Sequence, residues 1–193
     1  LSDQGTKEIV LTGINTAAYG FDLNGYTFAD LLRDILTKVP NLGRIRISSI
    51  EATEINAELL AILAQYQEKF CAHFHIPLQS GANQVLKKMA RKYDLAYYQA
   101  KIDQIRHIFP NVNITTDMMV GFSGETALDH EEAMQFIQRI GYGEMHIFPY
   151  SKRPGTKAYH YPDEVDDVTK KFRTNEAISI AQDMALQYRQ QFL

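Results

Sequence analysis

Short β-branched apolar runs alternate with amphipathic stripes of helical period along the whole chain. Residues 7–13, Lys-Glu-Ile-Val-Leu-Thr-Gly, form an apolar run closed by glycine, the pattern of a buried parallel strand. From Thr27 onward Phe28, Leu31, Leu32, Ile35 and Val39 recur at i, i+3, i+4, i+7 and i+11, which predicts one apolar stripe of a helix. Thr27 and Asp30 form a capping box with Asp in place of the usual Glu, and Pro40 ends the helix. A second strand is expected over 44–50, then a helix from about Asn56 with Leu59, Leu60, Leu63 and Tyr66 inward. A third strand over 72–78 precedes a short helix at 85–90 and a longer one capped by Asp94, with Leu95, Tyr98, Ile102, Ile105 and Phe109 on one face. Residues 113–121 read as the fourth strand, 126–140 as the helix behind it, and 144–150 as the fifth strand. A final helix from about Val165 has Val168, Phe172, Ile178, Ala181, Met184 and Tyr188 as its expected inner face.

Strand starts at 7, 44, 72, 113 and 144 are spaced as βα units with parallel strands and right-handed crossovers require. Five units are too few for a closed eight-stranded barrel, so the fold class is α/β, as an open or partial (β/α) barrel or a doubly wound sheet. In either architecture ligands sit beyond the carboxyl ends of the strands.

Composition narrows the function classes. With 45% apolar residues over 193 positions the chain suits one globular domain rather than a disordered or fibrous one. The apolar runs are too short to span a membrane, and a net charge of −3 provides no overall basic field for nucleic acid. A single cysteine, Cys71, excludes a disulfide framework and a self-contained cysteine-ligated metal site, so a reducing, cytoplasmic setting is expected. The chain starts without Met, as if within the tail of a helix, and stops directly after a helical pattern, so it reads as a piece of something larger.

Every expected strand ends in polar residues: Thr12-Gly13-Ile14-Asn15, Ser48-Ser49-Ile50-Glu51, Gln79-Ser80-Gly81, Gly121-Phe122-Ser123-Gly124-Glu125-Thr126 and Ser151-Lys152-Arg153. One such loop needs nothing beyond caps and turns to explain it. Five of them, carrying hydroxyls, amides and a carboxylate, point to a small-molecule cleft. His73 and His75 share one strand face; without a third ligand nearby, hydrogen-bonded histidines lining a cleft fit better than metal ligands. Glu51 is an acid, a base or a salt-bridge partner for Arg44 or Arg46, and Cys71 reads as a buried small hydrophobe. The basic run at 87–93, with Tyr93, Tyr97 and Tyr98 beside it, reads as a solvated helix face with a minor role in RNA contact open to it.

Six strings together carry a resemblance. They are Leu11-Thr12-Gly13-Ile14-Asn15-x-x-x-Tyr19-Gly20, Arg44-Ile45-Arg46-Ile47-Ser48-Ser49-Ile50-Glu51, His75-Ile76-Pro77-Leu78-Gln79-Ser80-Gly81, Val85-Leu86-Lys87-Lys88-Met89-x-Arg91-Lys92-Tyr93, the segment 115–126 and the segment 148–156. In this order they resemble the radical S-adenosylmethionine methylthiotransferases, most of all the branch that modifies N6-threonylcarbamoyladenosine in tRNA. Ser123 departs from the proline usual in that family's Gly-Phe-Pro-Gly-Glu-Thr string, which bears on loop stiffness more than on chemistry.

The resemblance implies a partial (β/α)6-type barrel in which 1–193 is a single core-domain fragment holding strands two to six. The first strand, its cluster loop, an amino-terminal cluster domain and a carboxyl-terminal RNA-binding domain would then lie outside it. It implies S-adenosylmethionine as cofactor, cleaved reductively to a 5′-deoxyadenosyl radical, with methylthiolation at C2 of an adenosine in tRNA. By the same resemblance Asn15, Ser48, Ser49, Glu51, His75, Gln79, Ser80, Val120, Gly121 and Phe122 would bind the cofactor: Ser48, Ser49 and Glu51 at the methionyl amine or ribose, Gln79 and Ser80 across the cleft, and the backbone at 120–122 near the adenine. The family's 4Fe-4S clusters need cysteines this chain lacks, so no metal site is expected in it and the fragment alone is expected to be inactive. An unpaired edge beside residues 7–13 is expected to invite dimerisation. Open alternatives are the isopentenyladenosine branch, the ribosomal-protein branch, an aldolase- or lyase-like barrel fragment, and a non-catalytic nucleotide- or RNA-binding module.

Overall fold

The computed structural model describes residues 1–193 except for the side chain of Ala17. The chain forms two compact units, one made of Leu1–Ile76 with Lys101–Asn113 and the other of Pro77–Ala100 with Ile114–Leu193.

In the first unit β1 (Glu8–Leu11) pairs in parallel with β2 (Arg44–Ile47), Glu8 opposite Arg44 and Leu11 opposite Ile47. Gly43 permits the close start of this pair, because a Cβ there would lie 2.3 Å from the Lys7 carbonyl oxygen. Ile45 and Ile47 are buried while Arg44 and Arg46 alternate with them on the other face, the period of a half-covered strand. Both arginines pair with Glu8, Arg46 Nε at 2.8 Å, which holds the Glu8 carboxyl below its ordinary range. Glu51 is therefore not the partner of either arginine. Beyond β2 the Cys71 N–H donates to the Ile45 carbonyl at 2.8 Å, and Ser49 bridges His75 in parallel, bringing in β3 (His73–His75). This strand is shorter than the expected 72–78 because Pro77 has no N–H to donate and Gln79 turns to φ 67°. Cys71 is half-buried beside the Arg46 guanidinium rather than a core hydrophobe.

Helix α1 (Phe28–Lys38) carries the expected Thr27–Asp30 capping box, but its buried stripe is Phe28, Ala29, Leu32 and Leu36. Leu31 and Ile35 are only half-covered, so the helix is turned toward Leu36, which lies off the expected stripe. Helix α2 (Ala57–Gln65), capped by the Asn56 carboxamide, buries Leu59, Leu60, Ile62 and Leu63. Phe70, Phe74 and Phe109 form a tilted aromatic triangle with centroids 5.4 to 6.1 Å apart.

In the second unit β4 (Asn113–Val120) pairs in parallel with β5 (Glu144–Pro149), Thr115 opposite Glu144 and Val120 opposite Pro149. Gln79 continues the ladder on the far side of β4, its N–H donating to Asp117 and its carbonyl accepting from Met119, both at 2.9 Å. Helix α3 (Asn83–Lys88) is short, and α4 (Leu95–Ile108), opened by the Asp94 carboxylate, has residues in both units. Tyr98 is fully buried against Tyr93, Phe136 and the Tyr142 hydroxyl, and Tyr93 donates to the Pro77 carbonyl at 2.9 Å. These two tyrosines are core groups and offer no rings to RNA.

Helix α5 (Ala127–Ile140) opens on a Thr126–Asp129 capping box and ends on Gly141 at φ 67°. Helix α6 (Asp167–Gln190) packs on β5 and α5 through Ala177, Ala181 and Ala185. Its inner face differs from the expected one: Val168 and Phe172 are 81% and 67% exposed, and Lys170 and Arg173 point inward. Small residues spaced by four let the helix approach closely, and the two inward cations are tolerated because each meets carboxylates. Among the described residues no helix is long and apolar enough to cross a membrane.

Candidate functional site

The expected ligand residues of the first unit gather at the carboxyl ends of β1, β2 and β3. The Ser48 N–H donates to the Leu11 carbonyl at 3.0 Å and Thr16 Oγ1 to the Ser49 carbonyl at 3.3 Å, which ties the loop after β1 to the end of β2. The Ile50 N–H donates to the His75 carbonyl at 3.1 Å, fixing the neighbouring strand end. Ser48, Ser49, Glu51 and His75 are all half-buried, whereas Asn15 is exposed and spends its side-chain oxygen capping a turn at Ala18. Glu51 and Glu54 cap each other's backbone, so the Glu51 carboxylate is held in one place. The hydroxyls of Ser48 and Ser49 make no hydrogen bond among the described residues. Two unspent hydroxyls beside a positioned carboxylate form a donor and acceptor set suited to a ribose or an amine.

The second unit treats its expected residues differently. Ser80 is 1% exposed and its hydroxyl accepts from the Ala82 N–H at 3.3 Å, a turn role. Gly121 sits at φ 73°, where a Cβ would also run into Lys170, and its N–H donates to both oxygens of Glu125 at 3.1 Å. The Val120 carbonyl accepts from Tyr150 and the Phe122 carbonyl from Glu125. The Phe122 ring meets Tyr150 edge-on at 4.8 Å in a cluster with Ala82 and Val85. The backbone of 120–122 is thus heavily engaged within its own unit, and the half-buried Gln79 is held by its ladder position.

Two features escaped sequence reading. One is a cluster in which buried Arg173 Nη1 donates to buried Glu125 Oε1 at 2.8 Å, while buried His130 pairs at 2.9 Å with the exposed Glu176. Burial pushes the Glu125 carboxyl up, only partly countered by the Gly121 N–H, Arg173 and His130. Lys170 and Arg173 stand in the polar stretch 169–175, where Phe172 is the only apolar residue, so no local signal marked them as buried. The other is a cleft of about 330 Å³ in the first unit, walled by Tyr19, Phe21, Tyr26 and Phe28 with Glu54 and Asn56 among its lining residues. Its signal was the aromatic loop punctuated by Gly20 and Gly25.

The donor set does not fit an iron–sulfur cluster, since one thiol cannot supply three ligands. The polar strand ends of the first unit do fit a nucleoside-like small molecule.

The chain is 43% identical over its whole length to the threonylcarbamoyladenosine tRNA methylthiotransferase MtaB of Bacillus subtilis, of which it covers 42%. It is 37% identical over 98% of its length to the protein of the same name from Thermotoga maritima, covering 43% of that chain. To the tRNA-2-methylthio-N(6)-dimethylallyladenosine synthase of Natranaerobius thermophilus it is 38% identical over 97% of its length, covering 41% of that protein. The chain therefore spans about two fifths of the length of these relatives. Among solved structures, coproporphyrinogen III oxidase of Escherichia coli, described as a radical SAM enzyme, aligns over 74% of this chain and 32% of its own with a TM-score of 0.58 and 18% identity. The radical S-adenosylmethionine methyltransferase TsrM of Kitasatospora setae aligns over 76% of this chain and 28% of its own, also at 0.58, with 14% identity. At such identities these structures speak for the α/β fold alone. The profile of the Radical SAM superfamily matches residues 1–137, and the chain belongs to that superfamily.

Proposed function

We propose that this chain is the core segment of an enzyme that methylthiolates C2 of N6-threonylcarbamoyladenosine in tRNA. The observation that carries the reading is the 43% identity to the Bacillus subtilis methylthiotransferase along the entire chain. The two relatives named for the threonylcarbamoyl substrate stand beside one named for the dimethylallyl substrate at 38% identity, so the isopentenyladenosine branch is the second reading. A partial (β/α)6 barrel is the architecture this reading expects, with the cluster-bearing cysteines, a further strand and the RNA-binding domain supplied by other parts of a longer polypeptide. The open edge of β1, whose only hydrogen-bonded neighbour among the described residues is β2, suits pairing with that further strand or with a second copy.

S-adenosylmethionine, when bound, supplies both the radical chemistry and the methyl group of such a reaction. Within this chain Ser48 and Ser49 would hold it through their unspent hydroxyls, and Glu51 would accept from its ammonium or ribose. Asn15 and His75, at the neighbouring strand ends of the same unit, would border it. Glu54 sets the Glu51 carboxylate in position, and the Thr16 hydroxyl fixes the strand end that presents Ser49.

The test is to express the full-length enzyme in a host deleted for its own methylthiotransferases and to digest the tRNA to nucleosides for mass spectrometry. 2-Methylthio-N6-threonylcarbamoyladenosine is the expected product. Appearance only of the isopentenyl analogue moves the enzyme to the second branch. An unmodified tRNA pool, with a methylthiolated ribosomal protein or none, overturns the tRNA reading.

A further inference from the structure

We propose that the aromatic cleft of the first unit receives an unpaired nucleobase of the RNA substrate, stacked on Tyr19 and Phe21 and read at its edge by Glu54 and Asn56. The proposal rests on the tRNA reading above and names a contact that reading does not assign.

The cleft is built by a tight loop. Gly20, at φ 88°, lies so close to the following turn that a Cβ would stand 1.8 Å from the Tyr26 carbonyl oxygen. Tyr26 meets Tyr19 edge-on at 6.3 Å and is anchored by donating to Asp34 at 3.0 Å, while Phe28 is buried beneath. The remaining walls are open: Phe21 is 86% exposed and Tyr19 42%. Exposed rings beside a concave, preformed space mark a binding surface rather than core. About 330 Å³ is at the small end for ligand sites and suits one flat base rather than a peptide segment.

Polar chemistry at the cleft favours a base over the phosphate backbone. Among the described residues no lysine, arginine or histidine lines it, and Glu54 repels phosphate. One Glu54 oxygen accepts from the Glu51 N–H, which leaves the other as an unspent acceptor among the described residues. The Asn56 oxygen caps α2 at Leu59, which leaves its amide as an unspent donor. An acceptor and a donor within one cleft are what the Watson–Crick edge of a splayed-out base requires, and unpaired bases stacked on aromatic rings are the usual way proteins read single-stranded RNA. The loop that carries the rings is tied by Thr16 to the Ser49 end of β2, so the base site adjoins the proposed cofactor residues within one unit.

The experiment titrates the full-length enzyme into anticodon stem-loop RNAs carrying 2-aminopurine at each loop position in turn. Emission from one position is expected to drop on binding. Phe21→Ala and Tyr19→Ala each restore that emission and weaken affinity roughly five- to hundredfold, the ratio expected for one lost base stack. Tyr19→Phe behaves as the parent, and the dependence of affinity on salt keeps its slope because no phosphate contact is lost. Phe21→Ala is decisive, since an 86% exposed ring can be removed without touching the packing. If the parent binds the RNA and Phe21→Ala binds it equally with the same quenching, the cleft assignment falls and the tRNA reading stands. If the parent binds no stem-loop RNA, both fall. Loss of binding to a ribosomal-protein peptide instead of RNA overturns the base assignment.

Discussion

Arg173 donates to Glu125 twice, to the side-chain oxygen at 2.8 Å and to the main-chain oxygen at 3.0 Å, and both residues are 7% exposed. The pair therefore joins the second turn of α6 to the loop that opens α5, in a place where neither charge is hydrated. A buried pair of this kind adds little over a well-packed apolar pair, yet breaking it leaves one charge stranded.

Arg173→Met is accordingly expected to cost about 3–5 kcal/mol of stability, and Glu125→Gln with Arg173→Met together less than Arg173→Met alone. The pH dependence has a definite sign. Burial raises the folded-state pKa of Glu125 above its ordinary 4.5. Its contribution is thus full below that ordinary value and is lost as pH rises through the raised one. Urea unfolding from pH 4 to 7 should show Glu125→Gln gaining on the parent as pH rises. A constant difference across that range would show that Glu125 does not titrate above its unfolded value.

Ser123 is 1% exposed and its hydroxyl has no partner among the described residues. An orphaned buried hydroxyl costs on the order of 1–3 kcal/mol. Ser123→Ala should therefore raise the thermal midpoint, and Ser123→Pro should match or exceed it by also restricting the unfolded chain. Calorimetric melting checks both. A fall in Ser123→Ala would mean that an ordered water satisfies the hydroxyl.

Gly81 faces α5 without room for a side chain: a Cβ would stand 2.7 Å from Ala133 Cα and 2.8 Å from its carbonyl oxygen. Gly81→Ala should destabilise by about 1–3 kcal/mol through overpacking. Ala133→Gly should fail to rescue it, because two of the three clashes are with backbone that the second change leaves in place. Full rescue in denaturant titration would place the strain in the Ala133 methyl instead.

Much of the fold was legible because its signals are local. The Thr27 capping box and the Asp94 cap stand where their side chains announced them, and the helix expected from about Asn56 opens there on the Asn56 carboxamide. The strands of the two parallel pairs were legible as β-branched or apolar runs. What failed were faces and partners. Hydrophobicity alone put Val168 and Phe172 inside α6, whereas shape put alanines there and electrostatics drew in Lys170 and Arg173. Arg44 and Arg46 chose Glu8 because parallel pairing sets it directly across the ladder from Arg44 and diagonally from Arg46, a relationship invisible from sequence distance. The polar strand ends were legible as a group, but which of their atoms remain unspent depended on tertiary hydrogen bonds: Ser48 and Ser49 keep their hydroxyls, while Ser80 and Gly121 do not keep their polar groups.

That difference decides the expected response of S-adenosylmethionine binding to substitution. Ser49 offers a free hydroxyl, and its carbonyl, not its side chain, holds Thr16, so Ser49→Ala removes a ligand contact and leaves the local structure intact. Glu51→Gln keeps the size of the capping side chain but removes the charge that would meet a ribose or an ammonium. Losing one hydrogen bond to a charged partner is worth about 1.5–3 kcal/mol, so Glu51→Gln should weaken binding roughly ten- to hundredfold and Ser49→Ala somewhat less. Lys88 serves as the contrast: it lies in the other unit and its ammonium is spent on the Gly124 carbonyl at 2.7 Å, so Lys88→Ala should leave affinity unchanged. S-adenosylhomocysteine, which lacks only the sulfonium methyl, should compete about equally in the chain on its own, because one thiol cannot hold the cluster that would also grip the methionyl end. Isothermal titration of the chain and its three variants measures all of this. If Glu51→Gln and Ser49→Ala bind like the parent while Lys88→Ala does not, the cofactor belongs elsewhere than at the end of β2.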